Sequence, residues 1–165
     1  RNLGAASADP GAYGADGINA ASVGQMLQYG KPYGATAFDA SYQIDYDAIG
    51  EWTVCPEGYA VPTLDQFNAA IAKVTGGTIS GNGVSGNAGI TLTLMNSVMK
   101  LPIGGWLTNG DTQPQAYGEA AAYWTSSKGS NTAPWKVDIN NSSASNTGAN
   151  WADAAWQLPV RCIKK

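Results

Sequence analysis

The 165-residue sequence contains no histidine. This absence excludes a Ser-His-Asp triad, a Cys-His dyad and any histidine ligand to a metal ion. Charged residues are also scarce, at 13% of the chain, and the formal net charge is −3 at pH 7. Nucleic-acid binding needs clustered Lys and Arg, so this balance argues against a nucleic-acid partner. No apolar run approaches the roughly 18 residues of a membrane helix, so we expect no membrane span.

Glycine and aromatic residues are plentiful instead, with 21 Gly, 6 Trp and 8 Tyr. Low charge combined with these residue types is typical of a loop-rich domain held by aromatic side chains and backbone hydrogen bonds. The chain begins at Arg1 without a methionine, which fits a processed chain whose targeting peptide has been removed. We therefore expect a secreted or cell-surface protein, a pilus or virion surface included.

Cys55 and Cys162 are the whole cysteine content, and each lies close to a proline in the sequence. Two interpretations are open. A disulfide would close a long loop and stabilise the fold by roughly 4 kcal/mol in the chain-entropy model. Alternatively, two separate buried thiols would pack as small apolar residues. The presence of one matched pair favours the disulfide.

Composition divides the chain into two parts. Residues 1–20 consist mostly of small and polar residues and predict a flexible or extended arm, while residues 21–165 form one domain.

The clearest local signal lies in that domain, where Thr63 to Gln66 match a capping box. An apolar stripe follows, and Gly76 provides a stop signal, so the sequence predicts a helix over about residues 64–75.

Alternation of apolar and polar residues, together with turn signals, predicts the strands. We expect strands over residues 38–52, 101–106, 121–127, 135–139 and 157–163. Asn109-Gly110 predicts a hairpin turn, residues 76–89 predict a loop, and residues 90–99 fit either a strand or a short helix. This order predicts an α+β fold with a loop-rich antiparallel sheet and one clear helix.

Four segments resemble, in order, the motifs of one bacterial domain family. Residues 55–63 (CPEGYAVPT) are similar to a helix entry written CPEGWRLPT, and residues 101–110 are similar to a strand written LPAGYRNNNG. Residues 118–127 contain YWTSS in place of YYWSSS, and residues 158–164 (LPVRCIK) are similar to FSVRCVK. These are the motifs of the Fibrobacter major paralogous (FISUMP) domain family, and the resemblance covers about residues 22–165.

The resemblance implies a C-type-lectin-like fold, in which the two ends of the chain pair in the sheet. It also implies that Cys55 and Cys162 lie near each other, which supports the disulfide on separate grounds. The same fold carries surface adhesins of Bacteroidota and the variable ligand-binding proteins of diversity-generating retroelements. The calcium-lectin tripeptides Glu-Pro-Asn and Gln-Pro-Asp are absent from the sequence. We therefore expect no calcium-dependent sugar site, no other metal and no cofactor.

The segment from Ser126 to Trp156 combines asparagine with tryptophan. Asparagine offers a donor and an acceptor together, and tryptophan offers a flat apolar ring, a combination that suits sugars or varied protein surfaces. The predicted ligand-binding residues are Asn140, Asn141, Asn146, Asn150, Trp151, Asp153 and Trp156. The alternative is that the asparagines only form turns and the tryptophans only pack the core. That alternative is favoured for Trp106, Trp124 and Trp135, and also for Asn140 and Asn141, which follow a predicted strand where a turn is due.

One pair of carboxylates is a candidate for catalysis. Asp45 and Asp47 share one face of the predicted strand and fit an acid–base pair or a cation site. Such a pair is more often a solvated strand edge. With no histidine and no convergent carboxylate cluster in the sequence, we predict that the protein is not an enzyme.

The sequence thus predicts a non-catalytic, surface-displayed binding or adhesion module whose partner is a glycan or a protein on a cell surface. The alternatives are a structural subunit of a pilus, filament or phage tail, and a retroelement-diversified receptor-binding protein. Residues 1–65 carry eight acids and two bases, a net charge of −6, whereas residues 66–165 carry four acids and seven bases, a net charge of +3. This asymmetry suits packing between subunits of a homo-oligomer or filament.

Overall fold

The computed structural model describes residues 2–11, 19–45, 49, 51–81, 83–85, 91–128, 134–139, 144–145 and 156–165. Its helices are α1 (Ala20–Val23), α2 (Leu64–Thr75) and α3 (Thr91–Ser97). Its strands are β1 (Met26–Leu27), β2 (Tyr59–Ala60), β3 (Thr78–Ser80), β4 (Gly83–Ser85), β5 (Leu107–Thr108), β6 (Ala121–Lys128), β7 (Pro134–Ile139), β8 (Ala144–Ser145), β9 (Trp156–Pro159) and β10 (Ile163–Lys164). The fold belongs to the α+β class, as the sequence predicted.

Helix α2 spans the predicted residues, and its ends follow the predicted chemistry. The Thr63 Oγ1 accepts from the Gln66 N–H at 3.2 Å, while the Gln66 Oε1 accepts from the Thr63 N–H at 2.8 Å. Gly76 ends the helix in the left-handed conformation, with φ 69°. Among the described residues, no helix has the length and apolar character that crossing a membrane requires.

The named strands pair antiparallel in three groups. The largest sheet has the order β3-β4-β8-β7-β6, a second has the order β1-β9-β5, and β2 pairs with β10. Strand β9 is thus the centre of the second sheet. It joins a strand from near the start of the chain to one from the middle.

The pair of strands β6 and β7 lies between two apolar clusters. On one side, Tyr123 and Val137 pack with Phe67 of α2 and Met95 of α3. On the other side, Trp124 packs in a cluster whose members also include Leu3, Leu27, Trp52 and Leu158. Burial on both sides explains why five successive residues of β6, Ala121 to Thr125, are all buried.

The two ends of the chain meet in the folded domain. The Leu3 N–H donates to the Val160 carbonyl at 2.9 Å, and Asn2 forms a bridge with Arg161. Leu3 is buried, although it lies in the predicted arm; the division of the chain at residue 20 stays a prediction.

The predicted disulfide is confirmed. Cys55 and Cys162 are bonded, with their Cα atoms 5.8 Å apart and 107 positions apart in sequence. The bond holds the C-terminal strand β10 close to the turn that leads into β2.

The predicted strand over residues 38–52 is wrong for its described part, since residues 38–45 form turns and irregular backbone. Side-chain hydrogen bonds hold this segment instead of a strand ladder. The buried Gln28 amide bonds the backbone N–H and carbonyl of Asp39. The Tyr42 hydroxyl donates to the Tyr29 carbonyl at 2.9 Å.

In the middle of the chain two further predictions change and one open alternative is decided. The predicted strand over residues 101–106 is mostly irregular, because Pro102 lacks an N–H and Gly105 has a φ of 67°. Within the predicted loop 76–89, β3 and β4 form a short hairpin. The ambiguous residues 90–99 contain the helix α3.

Candidate functional site

One of the seven predicted ligand-binding residues lies in the described structure. Trp156 is the first residue of β9. The other predicted members lie outside the described residues: Asn140, Asn141, Asn146, Asn150, Trp151 and Asp153. Residues 140–155 connect the end of β7 to the start of β9. Ile139, the last residue of β7, and Trp156, the first residue of β9, are therefore the positions between which this segment runs.

Trp156 forms a pair with Trp106. Trp156 lies opposite Thr108 of β5, and Trp106 precedes Thr108 by two positions, which puts all three side chains on one side of the sheet. The two indole ring centroids are 5.9 Å apart, with 34° between the ring planes. Both indoles are half-buried against the cluster that contains Trp124. Their remaining surface is available to solvent.

Lys136 of β7 supports Trp156. Its Nζ lies 4.6 Å from the centroid of the Trp156 ring, and it forms an ion pair with Asp138, two residues along the same strand. Lys136 is only 5% exposed, so its charge interacts with the ring at low local dielectric. The contact ties the start of β9 to β7, the two strands between which residues 140–155 run.

A polar group adjoins the indole pair at the turn after β5. The Asp111 Oδ2 accepts three hydrogen bonds, from the Thr108 N–H at 3.1 Å, the Thr108 Oγ1 at 3.1 Å and the Gln115 Nε2 at 2.7 Å. Asn109 and Gly110 form the turn between Thr108 and Asp111, with φ values of 51° and 79°. The hydrogen bonds from the Thr108 backbone and then from Gln115 hold the pKa of Asp111 below its usual value of 3.8. Asp111 is therefore a carboxylate at neutral pH.

We call the surface formed by Trp106, Thr108, Asp111, Gln115 and Trp156 the tryptophan face. It combines two flat apolar rings with a fixed carboxylate and an exposed amide. Gln115 lies opposite Trp106 in a β-bridge, and its Nε2 also donates to the Thr108 Oγ1 at 2.9 Å, so the polar and aromatic parts form one surface. Such a surface can hold a ligand that has both apolar and hydroxyl-bearing sides.

Of the residues of the tryptophan face, the sequence predicts only Trp156 as a ligand-binding residue, and that role stays a prediction. For Trp106, Trp124 and Trp135 the sequence favours core packing. It is confirmed for Trp124, which is fully buried and donates its Nε1–H to the Leu27 carbonyl at 2.7 Å. Trp106 is half-buried on the tryptophan face. The spacing of Trp106 and Thr108 before the predicted turn was the available signal, because it puts both side chains on one side of a strand.

A concave surface lies over the disulfide, away from the residues of the tryptophan face. This groove of about 690 Å³ is lined by uncharged residues, among them Leu3, Cys55, Cys162 and two tyrosines. Tyr33 is 58% exposed and Tyr59 is 46% exposed. The groove therefore offers aromatic surface, and the described residues that line it carry no charge.

No metal site is evident in the described parts of the chain, where no three His, Cys, Asp or Glu residues cluster. Of the carboxylate pair weighed for catalysis, Asp45 is exposed and Asp47 lies outside the described residues.

Comparison of the chain with family models, with curated proteins and with solved structures gave no match.

Proposed function

We propose that this chain is a non-catalytic binding and adhesion module of C-type-lectin-like fold, displayed on a cell surface. Its ligand, a glycan or a protein, binds to the tryptophan face and to the residues of the 140–155 segment. The observation that carries this proposal is the contact between Trp106 and Trp156. It builds an aromatic platform beside the strand at which the predicted binding segment ends.

Two features support the proposed fold. The resemblance to the FISUMP family implies that the chain ends pair in the sheet, and the hydrogen bond from Leu3 to Val160 agrees with that arrangement. It also implies neighbouring cysteines, in agreement with the Cys55–Cys162 bond. Strand β9 lies next to both features in the chain, since it ends directly before Val160 and a few residues before Cys162.

The chemistry of the face favours binding over catalysis. Asp111 is the carboxylate of the tryptophan face, and three hydrogen bonds to its Oδ2 fix its orientation. The sequence has no histidine to act as a general base near neutral pH. Fixed aromatic rings beside hydrogen-bonding side chains are typical of recognition surfaces.

Binding of the purified chain to arrays of glycans, of surface proteins and of whole cells tests the proposal. We expect Trp156→Ala to weaken binding at least tenfold, and Trp151→Ala or Asn150→Ala to weaken it too. Tyr59→Ala, an exposed aromatic residue on β2, is the matched control and should bind as the parent chain does. Unchanged binding by all three variants in the proposed site would overturn the site assignment, and an absence of binding on every array would overturn the function.

A subunit of a filament is a second candidate, and one observation favours it. Strand β3 ends the order of the largest sheet, and its central residue, Ile79, is 50% exposed. An exposed strand at a sheet edge is a common template for pairing between chains, and the exposed Ile79 adds apolar surface there. Light scattering of the parent chain and of Ile79→Lys tests this function. Concentration-dependent assembly that Ile79→Lys abolishes would support the filament subunit, and a strict monomer would exclude it.

A further inference from the structure

We infer that the tryptophan face takes a neutral sugar ring, so that the ligand of the proposed binding module is an uncharged glycan. This inference rests on the proposed function and narrows it. The sugar would stack on the exposed part of the Trp106 and Trp156 pair and donate hydroxyl hydrogens to Asp111 and Gln115.

The indole rings of the tryptophan face are held in position before a ligand binds. Trp156 is held by Lys136 at 4.6 Å and by Trp106 at 5.9 Å, and Lys136 itself is fixed by its ion pair with Asp138. A ring held in place before the ligand arrives loses little side-chain entropy on binding. The C–H side of a sugar ring is apolar and matches such an indole surface.

The polar part of the face offers acceptors. The Asp111 Oδ2 is occupied by its three internal donors, whereas none of the described residues donates to the Oδ1 of the same carboxylate. The Gln115 Nε2 is likewise used twice within the protein, which leaves the Oε1 of this exposed side chain as an acceptor. Sugar hydroxyls are donors, so both oxygens match groups that every sugar ring carries.

Charge decides between neutral and acidic sugars. Asp111 contributes a negative charge at the edge of the indole pair, and its lowered pKa keeps that charge in mildly acidic solution. Lys136, the cation that contacts the Trp156 ring, is already paired with Asp138. A sialylated or sulfated sugar at this position would meet uncompensated like charge, so we expect the face to discriminate against it.

The test is an array of matched neutral and sialylated oligosaccharides probed with the full chain and four variants. We expect binding to neutral members only. Trp106→Ala should lower the affinity at least about tenfold through lost stacking. Asp111→Asn should lower it about tenfold, because it keeps the shape of the side chain while removing the charge from the bond to the sugar.

Two controls match these variants. Glu57→Gln removes an exposed carboxylate in the turn before β2, and Tyr59→Ala removes an exposed aromatic ring from the groove over the disulfide. Both should bind as the parent chain does. If the Asp111→Asn variant does not fold, the Gln115→Ala variant is tested in its place. Gln115 is exposed, and its truncation removes the Oε1, the second acceptor proposed for the sugar.

The outcomes separate this inference from the function on which it rests. Binding to a surface protein that Trp156→Ala abolishes, without binding to any neutral glycan, would overturn the sugar assignment and leave the binding module intact. A preference for sialylated members, or loss of binding in Tyr59→Ala alone, would also overturn it. Failure to bind any glycan, protein or cell would overturn both.

Discussion

The side chain of Lys136 reaches from β7 to the ring of Trp156, with its Nζ 4.6 Å from the ring centroid. The same chemistry occurs once more in the described structure, where the Lys31 Nζ lies 4.1 Å from the Tyr42 ring and pairs with Asp39. The two sites differ in exposure. The side chain of Lys136 is 7% exposed and that of Lys31 is 22% exposed. Substituting each lysine in turn therefore compares the contribution of a buried cation with that of a partly solvated one.

We predict that Lys136→Met lowers the free energy of unfolding by about 2 kcal/mol, through loss of a desolvated ion pair and of the contact with Trp156. Lys31→Met should have the smaller effect, because solvent screens that pair. Urea unfolding of both variants provides the measurement. An equal or larger effect at Lys31 would contradict the view that Lys136 anchors the start of β9.

The disulfide should account for a large part of the stability. It spans 107 positions, so the double variant Cys55→Ala/Cys162→Ala should lose about 5 kcal/mol of unfolding free energy in the chain-entropy model. Thermal unfolding with and without reductant is the measurement. Reductant should destabilise the parent chain and leave the double variant unchanged; a parent chain that is indifferent to reductant would contradict this prediction.

Stability in acid should depend on Asp39. The hydrogen bonds from the Lys31 side chain and from Ser41 lower the pKa of Asp39 to about 2 from its usual 3.8. A carboxylate with a lowered pKa stabilises the folded state fully above the unfolded value, and this contribution is lost as the pH falls through the folded value. The stability difference between the parent chain and Asp39→Asn should therefore be constant above about pH 4 and shrink toward pH 2. A difference independent of pH across this range, in urea unfolding, would contradict the assignment.

The buried Tyr123 hydroxyl joins three parts of the chain. It donates to the Pro102 carbonyl at 2.7 Å and accepts from the Asn2 Nδ2 at 3.2 Å. We predict that Tyr123→Phe costs about 1–3 kcal/mol, since it leaves a buried carbonyl without its donor. Tyr33→Phe, at a tyrosine that is 58% exposed, should change stability by less than about 0.5 kcal/mol. Equal effects of the two substitutions on the unfolding free energy would show that the hydroxyl of Tyr123 contributes nothing.

Local chemistry made helix α2 predictable from the sequence. Thr63, Gln66 and Gly76 act within a few residues of one another, so their spacing specifies both ends of the helix. The turn at Asn109-Gly110 is also specified by neighbouring residues, because Asn and Gly both tolerate the positive φ that the turn requires. The segment from residue 38 to residue 45 alternates like a strand but is held by Gln28 and Tyr29, residues that lie ten or more positions away. The alternation of apolar and polar residues gives no information about hydrogen bonds to residues so distant in the sequence.

The candidate site was predictable only in part, for the same reason. Trp156 stood out because it ends a segment rich in Asn and Trp. Its partner Trp106 lies 50 positions earlier, and only the register of β5 against β9 brings the two rings together. The role of Asp111 likewise depends on three donors converging on one oxygen, which no spacing rule in the sequence specifies.

Indole N–H resonances test the central claim, that a neutral sugar binds at the tryptophan face, most directly. The Nε1–H groups of Trp52, Trp124 and Trp135 donate to carbonyls within the protein and serve as internal references. A panel of neutral oligosaccharides would be titrated into the ¹⁵N-labelled chain, with each resonance assigned by single substitution. The account predicts that the resonances of Trp106 and Trp156 shift with a saturable dependence on sugar while those of the three references do not. Shifts confined to other residues, or no shift with any member of the panel, would contradict it.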